Sequence, residues 1–421
     1  MNKEQLKKIK FWGASTSAHQ VEGKNHNQWS IWELANAKEL ASEAEGQLSH
    51  WLPKWEEFKE LATDPSNYVS GIAVDHYARY EADLDLLSQI NLNAFRFSIE
   101  WSRVEPKPGA WDEVQIDHYR QVLKAMHRRR IEPFVCLWHW TVPVWFAESG
   151  GFANKKNVKH FVRFCEKIMA ELGEYINYVI ILNEPNVYAG MGYLNGSWPP
   201  QERSVLKSLR VVWHLAAAQK QAYTRIKAIN KRLSVGLAYH YTHFAAGDNT
   251  LRTRLVVKLK NYGWNLWFNN RTESSQDFIG INYYQTDRIV KGTKQNTNER
   301  QNDVGWDMHP ADIEHVILQA ASEYKKPIII TENGLADKHD NNREWWLKQT
   351  FSGISKAMAK GAEVIGYMHW SLIDNFEWAL GFWPRFGLVE VDRATLERKI
   401  RPSAIWLATF LKNLRSDSAN R

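Results

Sequence analysis

Two glutamates in this chain stand where a core-building sequence has little use for a charge. Ile328-Ile329-Ile330-Thr331, after Pro327, is a β-branched run that reads as a buried strand. It stops at Glu332-Asn333-Gly334, where Asn-Gly marks a turn. Tyr178-Val179-Ile180-Ile181-Leu182 has the same design and ends in Asn183-Glu184-Pro185. The residue before a proline is biased to extended geometry, so Glu184 is expected extended at its strand tip. These carboxylates lie 148 positions apart (332 − 184), each on its own strand. Two strand-tip carboxylates facing one cleft are the equipment for glycoside hydrolysis.

Positioning them requires strands that converge. Strand signals fall at 11–15, 94–99, 133–138, 178–182, 234–239, 278–283, 328–331 and 364–368. Helical patterns follow them, clearest at 78–90, 114–130, 158–171, 205–230, 311–324, 343–360 and 402–413, and less cleanly at 251–269. Eight β-then-α units make an α/β fold of the (β/α)8 barrel type the economical answer. An open doubly wound sheet is the alternative, but Gly13-Ala14-Ser15-Thr16-Ser17 does not match the glycine-rich loop such sheets carry after their first strand. The stretches 16–77 and 284–310 read as long loops on the catalytic face.

In a barrel, polar and aromatic oddities should gather at strand carboxyl ends, and here they do. Strand one leads to His19-Gln20-Val21-Glu22-Gly23, and strand two carries Arg96, costly unless it meets a carboxylate. Strand three ends in Trp138-His139-Trp140, four in Asn183-Glu184, six in Asn282-Tyr283-Tyr284 and seven in Glu332. Strand eight gives His369-Trp370-Ser371, followed by Asp374-Asn375-Phe376-Glu377-Trp378. Singly, each has an ordinary structural explanation: a turn, a satisfied core histidine, an ion pair. Their joint placement is what points to a site.

The totals narrow the class. The 21 tryptophans suit sugar faces but also suit a large core. The net charge of +7 comes with no nucleic-acid reading motif. The basic stretches 207–232 and 252–260 read as solvated faces of amphipathic helices, with an anionic partner as the other reading. Cys136, inside an apolar strand, and Cys165 read as buried thiols away from any strand tip. His240-x-x-His243 lacks further ligands, so no metal or other cofactor is expected. With no apolar leader and no membrane-length apolar run, the expected compartment is the cytoplasm, with no membrane partner.

The motifs Ser17-Ala18-His19-Gln20-Val21-Glu22-Gly23, Asn183-Glu184-Pro185, Ile330-Thr331-Glu332-Asn333-Gly334, Trp370-Ser371-Leu372-Ile373-Asp374-Asn375-Phe376-Glu377-Trp378 and Arg385-Phe386-Gly387-Leu388 resemble those of family 1 glycoside hydrolases, the β-glucosidase/β-galactosidase family. The resemblance runs from Phe11 to Ala404 and implies one (β/α)8 domain over 1–421. It implies Glu332 as nucleophile and Glu184 as acid/base, with Arg96 and Tyr284 holding the Glu332 anion. Retaining enzymes of this kind set the two carboxyls about 5–5.5 Å apart. Glu184, as acid, must carry its proton near neutrality, which apolar or anionic surroundings favour.

The same resemblance implies Gln20, His139, Trp140, Asn183, Asn282, Glu377 and Trp378 around the hydroxyls of a terminal sugar. Trp370 would lie beneath the ring, with a cis bond to Ser371. The implied substrate is a small β-glycoside or oligosaccharide. The glutamate at 184 favours O-glycosides, and the loop 377–386 lacks the Ser…Lys-x-Tyr phosphate cradle, which favours a neutral sugar. Trp138 and Trp383-Pro384 depart from the family pattern, and the span between strands five and six looks short, suggesting an open rim. A catalytically silent sugar-binding barrel and an endo-acting relative are the other readings.

Overall fold

The computed structural model describes residues 1–297 and 299–419. Its centre is a ring of eight parallel strands: β1 (Phe11–Ser15), β2 (Ala94–Ser98), β3 (Glu132–Cys136), β4 (Tyr178–Asn183), β5 (Ser234–Ala246), β6 (Phe278–Val290), β7 (Ile328–Asn333) and β8 (Val364–Trp370). Each pairs with the next in chain order, and β8 pairs with β1, so the ring is closed. This is the (β/α)8 barrel. Closure removes every sheet edge, and the outer helices cover the apolar outer face.

The strand sequences show why the ring packs. In β7, Ile328 and Ile330 belong to the cluster shared with the outer helices, whereas Ile329 faces the barrel interior. Phe11, Phe134, Cys136, Ile180, Phe278 and Met368 fill that interior with Ile329. The helices used below are α1 (Gln28–Leu48), α2 (Trp55–Ala62), α3 (His76–Gln89), α4 (Glu113–Arg128), α5 (Val158–Leu172), α6 (Val205–Ile229), α7 (Leu251–Asn261), α8 (Trp267–Thr272), α9 (Ile313–Tyr324), α10 (Arg343–Ala359) and α11 (Pro402–Ala419). Among the described residues no helix is long and apolar enough to cross a membrane.

Three expectations need correction. The stretch 16–77 is not a loop: it holds α1 and α2, and α1 starts at a capping box in which Asn27 accepts from Ser30 N and Ser30 Oγ faces the Asn27 N–H. The stretch 284–310 begins as strand, because β6 runs on to Val290. The rim between β5 and β6 is raised, not open. β5 and β6 stay paired up to Ala246 and Ile289, well past the level of His240 and Asn282.

Candidate active site

Register shifts interrupt the ladders where the polar residues begin. One lies between Ile180 and Asn183 in β4, and another between Ile330 and Asn333 in β7. Strict alternation from Ile329 would turn Glu332 toward the helices. Instead Asn333 points outward, accepting from Trp346 Nε1 (2.9 Å) and Thr350 Oγ1 (3.2 Å) of α10, and Glu332 turns inward. A bulge that re-aims a side chain beside a site is a recurrent device.

Glu184 is not extended. Its φ of 41° and ψ of 61° are left-handed, against the pre-proline bias, and such a conformation costs a non-glycine residue about 1–3 kcal/mol. The fold outweighs the local preference: Glu184 N donates to Ala238 O (2.8 Å), and Oε1 accepts from Asn282 Nδ2 (2.8 Å). Trp140 (φ 76°) and Trp378 (φ 53°), two more residues of this cleft, also take positive φ.

Glu332 is held by charge and by a phenol. Arg96 Nη1 donates to Oε1, and Tyr284 OH donates to Oε2 at 2.6 Å. Arg96 Nη2 donates to Asn183 Oδ1 (2.6 Å), tying β2 to the residue before Glu184. Asn282 Nδ2 also reaches Asn183 Oδ1 (3.1 Å), and Asn282 Oδ1 accepts from Thr331 Oγ1 (2.6 Å) beside Glu332. One hydrogen-bonded set therefore connects the two glutamates. His240 Nδ1 lies 3.3 Å from Glu184 Oε1, and its ring stacks on Tyr284 at 6.0 Å.

Burial pushes the Glu332 carboxyl up to about 7, and Glu184 adds to this, while Arg96 and Tyr284 pull it down. Burial also opposes the Arg96 charge, but Glu332, Cys136 and Tyr284 together lift the guanidinium above its usual value. The guanidinium thus stays charged, and the carboxyl is the member of the pair that titrates.

The neighbouring polar groups are fixed in turn. Asn183 Oδ1 accepts from Arg96 and Asn282, so its Nδ2 is the donor toward His139 Nε2 (3.2 Å). That leaves the proton of the neutral His139 ring on Nδ1, which has no protein partner among the described residues. Burial, then Arg96, drives the His139 pKa well below its usual value. The imidazole lies between Trp370 (5.6 Å, 22°) and Trp378 (6.1 Å, 13°). Trp140 Nε1 donates to Asn183 O (3.0 Å). Gln20 Oε1 accepts from Ser17 Oγ (2.7 Å), and its Nε2 donates to Phe376 O (2.7 Å) and reaches Glu377 Oε2 (3.4 Å). Burial lifts half-buried Glu377 to about 8, against its donor Asn375 and with help from Glu332 and Glu184.

The bond between Trp370 and Ser371 is cis. Gly334 packs so closely on this segment that a Cβ built there would stand 1.8 Å from Trp370 O. A cavity of about 630 Å³ is lined by Trp51, Gln285 and Trp306, among others, and its Trp306 meets the Tyr284 ring at 5.9 Å.

The twelve residues singled out as a site thus form one connected group at the carboxyl ends of the strands. Other expectations shift. Cys136 is the last residue of β3 and lies 4.0 Å from Arg96 Nη2, so it is at a strand tip after all. Burial pushes its thiol up to about 11, keeping it protonated. Trp138 packs on Phe152 and Tyr188, and Trp383 on Phe58, so both are buried core residues. The sequence reading ended strand five at Tyr239 and weighed His240 only as a metal ligand. β5 instead runs on to Ala246, and His240 lies within it opposite Asn282.

The chain matches the model of glycosyl hydrolase family 1 over residues 2–270 and 263–415. A curated relative, β-glucosidase A of Thermotoga maritima, is 27% identical over 98% of this chain and 99% of its own. The β-galactosidase of Sulfolobus acidocaldarius is 29% identical over 78% of this chain and 82% of its own. Among solved structures, a β-glycosidase from Pyrococcus horikoshii superposes with a TM-score of 0.83 at 32% identity, covering 96% of this chain and 94% of that one. A Thermotoga maritima β-glucosidase in complex with deoxynojirimycin has a TM-score of 0.82 at 25% identity, covering 96% and 98%.

Proposed function

The chain belongs to glycosyl hydrolase family 1, and from that premise we propose that it is a retaining, exo-acting β-glycosidase. Its substrates are terminal non-reducing β-D-glucosyl residues of small glycosides or oligosaccharides, with galactosyl, fucosyl and mannosyl residues as the alternatives. One observation carries the reading. Two buried carboxyls share a hydrogen-bond network, yet one is paired with a guanidinium and the other meets an amide and an imidazole.

In this mechanism Glu332 attacks the anomeric carbon while Glu184 protonates the glycosidic oxygen, and the alcohol leaves. The resulting ester removes the Glu332 charge. Glu184, now ionised, takes a proton from water, which attacks the same carbon and releases the sugar with its configuration kept. Arg96 and Tyr284 keep Glu332 anionic for the first step. Gln20, His139, Glu377 and Trp378 bind the sugar's hydroxyls. The free Nδ1–H of His139 supplies a donor, and Glu377, neutral below about pH 8, supplies another. Asn183 meets the 2-hydroxyl, Asn282 and Trp140 frame it, and Trp370 lies under the ring. The cavity beside Tyr284 and Trp306 receives the leaving group.

Azide tests the assignment of roles. With a good aryl leaving group, Glu332→Ala plus azide should give the glycosyl azide of inverted configuration, and Glu184→Ala plus azide the retained one. Rescue with the configurations exchanged, or a first-formed wild-type product that is inverted by NMR, overturns the mechanism.

A further inference from the structure

Helix α7 does not pack as a globular surface helix should. Of its eleven residues, Leu-Arg-Thr-Arg-Leu-Val-Val-Lys-Leu-Lys-Asn, only Thr253 is buried. Leu251 (67% exposed), Leu255 (51%) and Leu259 (69%) fall on one stripe at four-residue spacing, continued by Tyr262 (49%) in the wide turn that follows. Arg252, Arg254, Lys258 and Lys260 flank that stripe, and the helix has no acidic residue. Asp248, in the turn before it, is engaged in accepting from Thr250 N, Thr250 Oγ1 and Lys291 N.

The helix is held firmly and held high. Thr253 Oγ1 accepts from Gly292 N (3.2 Å), and Lys260 Nζ sits 5.6 Å over the Phe244 ring. Both contacts fasten α7 to the ribbon formed by the extended ends of β5 and β6. From the His240–Asn282 level at the site, that ribbon continues six residues (246 − 240) to its last pair, about 20 Å at strand rise. On helix α6, which meets α8 where Trp213 packs on Trp267 with Arg271 over both rings, Leu206 (75%), Leu209 (51%) and Trp213 (52%) are also exposed.

We propose that α7, with the exposed first half of α6, is a docking surface for an anionic lipid bilayer on the rim of the catalytic face. An apolar stripe edged by Arg and Lys, with Tyr and Trp at its margins, is the pattern of helices that lie in the lipid–water interface. A second copy of the chain seated on α7 would bring four cations against four cations. A nucleic acid would gain little from three exposed leucines. The sequence reading expected no membrane partner because it looked for a spanning run, which interfacial binding does not need.

Sedimentation of the full chain with phosphatidylcholine vesicles, with and without about one third phosphatidylglycerol, tests this. The wild type should co-sediment with the anionic vesicles, and both high salt and neutral vesicles should release it. Arg252→Gln and Lys258→Gln should each weaken binding about fivefold. Leu255→Asp with Leu259→Asp should abolish it, leaving the thermal midpoint and soluble aryl-glycoside hydrolysis unchanged. The proposal is overturned if the wild type ignores anionic vesicles, or if the double leucine variant binds them as well as wild type. It is also overturned if light scattering shows a wild-type dimer that this variant dissolves, or if a single-stranded oligonucleotide binds more tightly than the vesicles.

Discussion

Glu332 and Glu184 are both buried at strand ends within one hydrogen-bonded set, but their surroundings differ in kind. Around Glu332 stand a guanidinium and a short phenol contact, one to each oxygen. Around Glu184 the contacts are an amide at 2.8 Å and an imidazole at 3.3 Å, both to the same oxygen. The first corner is built to keep an anion in place through interactions that weaken greatly if one partner is lost. The second has no fixed counter-charge, only an amide and an imidazole on one oxygen. Unequal neighbours can therefore divide labour between two identical side chains.

Removing the cation breaks this contrast most severely. Arg96→Met should lower stability by about 3–5 kcal/mol in denaturant melts, since Glu332 is left buried without its counter-charge. Turnover should survive, if at all, only at high pH. A loss of under 1 kcal/mol would show that the two corners are energetically alike. Tyr284→Phe is milder: one hydrogen bond to a charged group is worth about 1.5–3 kcal/mol. Glu332 ionises as pH rises through about 7, so the acidic limb of kcat/KM should lie there. Losing a contact that favours the ionised form should move that limb up by about one to two pH units.

Glu377→Gln sharpens the comparison from outside the pair. The Glu377 pKa in the fold is about 8 against a usual 4.5, so the unfolded chain sheds this proton first. Wild-type stability should therefore fall between pH 4.5 and 8 through this group and level off above. The Gln variant should gain on wild type across that window in thermal melts, with no difference below it. The smallest effect is expected at the Glu184 corner. His240→Asn removes a 3.3 Å contact worth about 0.5–1.5 kcal/mol, so kcat should drop by no more than about tenfold.

The barrel and the two glutamates were legible because their signals are local. A β-branched run that ends in a charge and a turn residue betrays itself within ten residues, as at 328–334. What was hidden depended on contacts between distant segments. The left-handed backbone at Glu184 arises from Ala238 and Asn282, against its own Pro185. The length of β5 and β6 was concealed because 240–246 pairs with 282–289 rather than with anything nearby. Helix α1 is a different case: its Asn27/Ser30 cap and Ala/Glu/Leu content are on view in the sequence, but 16–77 reads there as one long loop after strand one. His240, beside Glu184, was set aside with a metal search. On a strand, positions 240 and 243 face opposite ways, so they were never a ligand pair.

Gly334 shows how little freedom the cleft keeps. Because backbone there lies directly against the Trp370 carbonyl, the tip that carries Glu332 and the Trp370 segment are wedged together with no side chain as a cushion. Neither can shift without carrying the other. Any loosening that displaces Glu332 should therefore displace Trp370 in the same event, so under the proposed mechanism loss of catalysis and loss of sugar grip should arrive as a single transition.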